Sequence, residues 1–167
     1  IIGSRGYGLY DKNRIGLYLI NNILGGPGMN NRLNMSLREK HGLVYSVESN
    51  MMSYTDTGII NIYFGCDKDS EEQCTRLVYK ELRRLRDHRL TTSQFHSAVK
   101  QWKGQLGIGT DNRESRALSM GKSFLRFNRY ESLEELYRKI DTLTPELLQD
   151  IAQEAFDEQK FFSLVFR

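Results

Sequence analysis

An arginine and a tyrosine seven positions apart, Arg38 and Tyr45, carry the most evident chemistry in this sequence. They lie on either side of the turn Glu39-Lys40-His41-Gly42, which brings them out on opposite sides of a helix-to-strand junction. A planar guanidinium and a phenol placed this way can grip a peptide backbone or stabilise a developing oxyanion. Just upstream runs Gly25-Gly26-Pro27-Gly28-Met29-Asn30-Asn31, a glycine hinge before a short helix. No other stretch of the chain offers a comparable constellation.

Other chemistries find no matching pattern. His41, His88 and His96 are scattered, and neither H-x-x-E-H nor H-E-x-x-H occurs, so no zinc site is expected within this sequence. There is no G-x-S-x-G elbow for a nucleophilic serine. Gly25-Gly26-Pro27-Gly28 is followed by no G-K-[ST] and has helical flanks, which excludes a phosphate-binding P-loop. The spacing of Cys66 and Cys74 fits neither a zinc knuckle nor a redox motif. A bridge between them is open, but two half-buried free thiols are the preferred reading. This chain alone is expected to catalyse nothing.

The 167 residues are enough for one well-buried core, and the length favours a single domain. Hydrophobic residues make up 39% and charged residues 27%, ordinary values for a soluble globular protein. The net charge is +3, but its 24 basic and 21 acidic residues are interleaved. The dense run Arg83-Arg84-Leu85-Arg86 therefore reads as the solvated end of a helix, and no nucleic-acid partner is expected. No run approaches the roughly 18 apolar residues of a membrane span, so no membrane partner is expected either. The sequence opens on Ile1-Ile2-Gly3 without an initiator Met and is read as an excised domain, which leaves the compartment open.

Elements must position the Arg and Tyr. Ile1–Arg5 reads as the end of a strand. From Asn13 to Leu24 apolar residues surround the helix axis, as expected of a buried helix. Gly25-Gly26-Pro27-Gly28 stops it, because proline lacks a donor and glycine tolerates positive φ. Asn30 or Asn31 can cap a short helix to about His41, with Gly42 as its stop. Val44–Tyr54 and Ile59–Cys66 read as an antiparallel hairpin around Thr55-Asp56-Thr57-Gly58. Helices follow over Ser70–Arg86, Thr92–Leu106 (interrupted at Gly107 and Gly109), Arg113–Phe127, one capped by Ser132, and one from Pro145 to about Phe156. Phe161–Phe166 closes the chain as a strand. This order implies an α+β fold, with an antiparallel or mixed sheet and helices packed mainly on one face.

The stretch Leu24–Val47 resembles the second homologous domain of the pitrilysin/insulinase class of zinc metallopeptidases, which includes the mitochondrial processing peptidases. The similarity continues through Asp56-Thr57-Gly58, the helix after Thr91-Thr92-Ser93, and Leu143-Thr144-Pro145-Glu146. The resemblance implies that residues 1–167 form a single domain, the C-terminal substrate-binding part of a larger two-domain peptidase. It implies zinc in a partner domain carrying H-x-x-E-H, on the same polypeptide or on a separate subunit. Arg38 and Tyr45 match the Arg and Tyr by which the non-zinc domain contacts peptide and supports the tetrahedral intermediate. Gly25, Gly26 and Gly28 match the glycine-rich loop that handles substrate. The alternative is a non-proteolytic scaffold subunit of the same fold, as in the core proteins of a respiratory complex. A domain separated from its partner leaves apolar surface exposed, which is compatible with a homodimer.

Overall fold

In the computed structural model, which describes residues 1–166, the hairpin forms one side of a four-stranded antiparallel sheet. Its strands are β1 (Ile2–Gly6), β2 (Val44–Ser53), β3 (Gly58–Cys66) and β4 (Phe162–Ser163), in the order β2-β3-β1-β4. Period-two alternation gives the sheet a dry face and a wet face. Met51, Ile60 and Ser4 align across three strands, as do Ser49, Ile62 and Ile2, and all six are buried. Glu48, Asn50, Met52, Tyr63 and Arg5 face the other way and are exposed.

The dry face is covered by α1 (Arg14–Gly25), which crosses it with Leu17, Leu19, Ile20 and Leu24 buried. Alongside α1, α6 (Pro145–Ala155) packs through Leu148, Ile151 and Ala152 and reaches β1, and α2 (Glu71–Asp87) packs against α6 with Cys74, Val78 and Leu82 buried. Gly16 permits the close α1–α6 crossing, since a Cβ there would collide with Ile151. α3 (Thr92–Gly109), α4 (Arg113–Phe127) and α5 (Leu133–Asp141) extend the helical layer beyond the sheet.

Helix starts follow the sequence signals. Thr91 with Gln94, and Ser132 with Glu135, form reciprocal capping boxes for α3 and α5. Thr144 accepts the Leu147 N–H ahead of Pro145, and Asn112 accepts that of Ser115. Three expectations change. α3 continues through Gly107 and ends at Gly109, because its capping box and packing outweigh the weak helix propensity of one glycine. The strand expected over Phe161–Phe166 shortens to Phe162–Ser163, followed by two further bonds, from the Leu164 N–H to the Ile1 carbonyl and from the Ile1 amino group to the Leu164 carbonyl. The segment before Gly42 is a π-helix, Asn34–Glu39. Both cysteines are free thiols, Cys74 buried and Cys66 half-buried. Among the described residues no helix is long and apolar enough to cross a membrane.

Candidate functional site

Arg38 sits in the last turn of the π-helix Asn34–Glu39. Leu33 and Leu37 anchor this short segment in the core, while Arg38 remains exposed. The wide turn ends through long-range backbone bonds. The Lys40 N–H reaches the Met35 carbonyl at 3.1 Å, and the Leu43 N–H reaches that of Leu37 at 3.0 Å. Gly42 makes this exit with φ of +62°, a left-handed conformation that favours glycine. His41 Nδ1 lies 2.6 Å from the Ser36 carbonyl, so that nitrogen carries the proton and seals the helix end. The Arg38 guanidinium has no hydrogen-bond or ion-pair partner among the described residues.

Tyr45 owes its position to a break in the sheet register. Val44 pairs with Cys66, yet Ser46 pairs with Gly65, so Tyr45 is the extra residue of a β-bulge. Burial follows this shift. Val44 and Val47 are both buried, while Tyr45 and Ser46 between them are both exposed. The phenol is 73% exposed, and its Oη donates to Asp67 Oδ1 at 2.8 Å. That bond to a carboxylate raises the Tyr45 pKa above its ordinary value, because ionising the phenol would remove the donor.

The glycine segment is held from three sides. A Cβ on Gly25 would lie 2.6 Å from the Ser49 nitrogen and 2.7 Å from the Ser49 Cβ, so only glycine lets α1 touch β2 here. Asn21 reinforces the contact, donating to the Ser49 carbonyl at 3.0 Å and accepting from Ser49 Oγ at 2.6 Å. From α3, Gln105 accepts from Asn22 at 2.7 Å, and Gln101 exchanges two bonds with Asn30 at 2.9 and 3.2 Å. A Cβ on Gly28 would meet both partners of that Asn30–Gln101 pair. Inside the loop, Asn31 is only 4% exposed. Its Nδ2 donates to the Gly26 and Gly28 carbonyls, each at 2.7 Å, and its Oδ1 accepts the Asn34 N–H at 2.8 Å.

Asn31 is therefore the cap, and Asn30 serves the link to α3. Gly25, Gly26 and Gly28 do not adopt positive φ, as the role of helix stop had suggested; their requirement is close approach. The structure brings Arg38 and Tyr45 out on one exposed helix-to-strand junction and suspends the glycine loop between β2 and α3. Reasoning from sequence offered Asn31 as one of two caps, and missed Asp67 and the Gln101/Gln105 pair. The i, i+4 spacing of the glutamines was the available signal, and Val44 and Val47 three apart in a strand was the signal for the bulge.

The arrangement offers an exposed, unpaired cation and a phenol donor beside a sheet with an open face, which suits an extended peptide. It does not suit a metal: among the described residues no group of three or more His, Cys, Asp or Glu could hold an ion. No reaction step on a metal is assigned to this chain.

A family model described as a peptidase M16 inactive domain matches residues 1–102. The chain is 28% identical over 165 residues to an uncharacterized zinc protease of Streptomyces coelicolor, covering 99% of this chain and 36% of that protein. It thus spans about a third of the length of that curated relative. Its fold is similar to that of a peptidase M16 inactive domain from Pseudomonas fluorescens, with TM-score 0.80, 23% identity, and coverage of 96% of this chain and 38% of the other. It is equally similar to a chain of Complex III2 from Candida albicans, with TM-score 0.82, 22% identity, and coverage of 96% and 40%.

Proposed function

Because the chain belongs to the peptidase M16 inactive domain family, matched over residues 1–102, we propose that it is the substrate-gripping, non-zinc half of a longer zinc metalloendopeptidase. The observation that carries this reading is the junction itself. A π-helix, a left-handed glycine and a β-bulge fall within a dozen residues, and together they leave the Arg38 and Tyr45 donors exposed. Such irregular backbone is costly and gathers where side chains must be aimed.

In this reading an extended peptide lies along the junction between the two halves. Arg38, free of any internal partner, holds a substrate carbonyl or carboxylate by its planar fork. Tyr45 leaves Asp67 and donates to the oxygen that becomes an oxyanion when the peptide carbonyl is attacked. Gly25, Gly26 and Gly28 hold the loop close against α1, β2 and α3, on the path along which the peptide passes. The partner domain, on the same polypeptide or another, would carry the zinc, which supplies the Lewis acid that activates water.

The test uses the full-length protein with its zinc-bearing half and a fluorogenic peptide. Arg38→Ala and Tyr45→Phe should each lower kcat/KM on the order of 10²-fold, the scale of losing one oxyanion donor. Circular dichroism should be unchanged, since both side chains are exposed. Unchanged turnover in both variants would remove the Arg38/Tyr45 role. A second reading, a non-proteolytic scaffold, draws on the likeness to the Complex III2 chain. No cleavage by a well-folded, zinc-loaded pair would favour it.

A further inference from the structure

We infer that the groove between α4 and the glycine loop is a binding subsite for an acidic stretch of the peptide substrate. The inference rests on the peptidase reading above and adds a charge preference to it. The groove encloses about 660 Å³ and reaches from α4 to Pro27, Asn22 and Gln105 at the glycine loop. Its lining carries four cations, Arg14, Arg116, Lys122 and Arg126, and one carboxylate, Glu131. Glu131 is ion-paired with Lys139, whereas none of the four cations is in an ion pair among the described residues. Arg14 stacks on the Phe127 ring at 5.8 Å, and its Nε is buried without a hydrogen-bond partner. A buried unpaired donor is unfavourable until a ligand or water meets it.

The second observation is the orientation of α4. Ser115, Ser119, Lys122 and Arg126 recur at helical spacing, line the groove and stay solvent-accessible, so this helix presents a polar, basic stripe to it beside the half-buried Ser123 and Phe127. Its apolar residues Leu118 and Leu125 point away and are 58% and 88% exposed. A helix that served only to cover the core would do the reverse. The stripe is thus built to meet something polar and negative. Peptide is favoured over nucleic acid because the groove ends on the paired amides Asn22 and Gln105, beside the glycine loop to which substrate handling is assigned.

The experiment measures binding, so that it reads out independently of cleavage. Two labelled peptides of equal length, one with four consecutive Asp/Glu residues and one with the corresponding Asn/Gln, are titrated by anisotropy into the full-length protein with its zinc-bearing half. The acidic peptide should bind on the order of tenfold tighter, and this preference should collapse as ionic strength rises from about 0.05 to 0.3 M. The triple variant Arg116→Gln/Lys122→Gln/Arg126→Gln should abolish the preference while leaving Tm unchanged. Arg116→Glu/Lys122→Glu/Arg126→Glu, which leaves Arg14 against three new carboxylates, should invert it toward a basic peptide. Equal binding of the two peptides, or a preference that survives the triple variant, would overturn the subsite. A single-stranded oligonucleotide that binds tighter than the acidic peptide through the same residues would also overturn it. Loss of neutral-peptide cleavage in Tyr45→Phe reports on the Arg38/Tyr45 reading alone.

Discussion

Tyr45 is aimed by the backbone and held by a neighbour. The bulge opposite Cys66 turns its side chain out of the sheet, and Asp67, immediately after β3, accepts its hydrogen bond. Because the phenol is already donating, it can serve a substrate only by exchanging one acceptor for another. Asp67 thereby tunes the donor, and the consequence can be read in pH. A phenol whose folded pKa is raised favours the fold below its ordinary value of 10.0 and loses that contribution as pH rises through the folded value. Ultraviolet titration at the tyrosinate band should show Tyr45, identified by comparison with Tyr45→Phe, ionising above its ordinary value. In Asp67→Asn it should ionise closer to that value, and an unchanged titration would show that the Asp67 hydrogen bond does not govern the phenol. Arg38 and Tyr45 were legible as a pair from residue type and spacing. Asp67 was not, since 22 positions separate it from Tyr45 and only the hairpin closes that distance.

At the scale of elements, the loop between α1 and the π-helix is organised by one buried asparagine. Asn31→Ala would strip partners from two carbonyls and one N–H in a site with little access to water. Unfolding in urea should show a loss of about 2–4 kcal/mol, beyond the usual range for a single exposed cap. Gly25→Ala should cost about 1–3 kcal/mol for a different reason, overpacking against the backbone nitrogen and Cβ of Ser49. Gly28→Ala should cost less, because the atoms it would meet are ends of the flexible Asn30 and Gln101 side chains. Thermal denaturation of the three variants checks that order. The helix starts at Thr91, Asn112, Ser132 and Thr144 could be read directly, because a cap and the N–H it satisfies lie within three residues. The π-helix could not, since its wide turn depends on Leu33 and Leu37 both being drawn into the core.

Across the whole molecule, α1 is the hub. It touches β2 through Gly25 and Asn21, α6 through Gly16, and α3 through Asn22. Leu17 and Leu19 on α1 are wholly buried. Leu17→Ala should therefore destabilise the domain by about 2–5 kcal/mol in a single cooperative transition. Separate unfolding of the sheet and the α3–α5 helices would contradict the hub. The same arrangement explains the site. The helical layer covers one face of the sheet and leaves Glu48, Asn50, Met52 and Tyr63 exposed on the other. Arg38 and Tyr45 emerge where π-helix meets sheet, and the basic groove lies at the far side of the glycine loop, beneath α4. A peptide reaching from one to the other would cross that loop.

The sequence by itself determined the α+β class, the hairpin, the helix caps, the Arg38/Tyr45 spacing and the likeness to the non-zinc half of a peptidase. Each of these is written in contacts or patterns among residues close along the chain, where propensity and periodicity act directly. The tertiary structure alone decided the role of Asp67, the amide links from α3 to the glycine loop, and the approach of α4 to that loop. The physical reason is common to all three. Asn30 and Gln101 are 71 positions apart, and Asn22 and Gln105 are 83 apart. Contacts at such separation leave no local period in the chain, and they exist only once α1 has brought sheet and helices against each other.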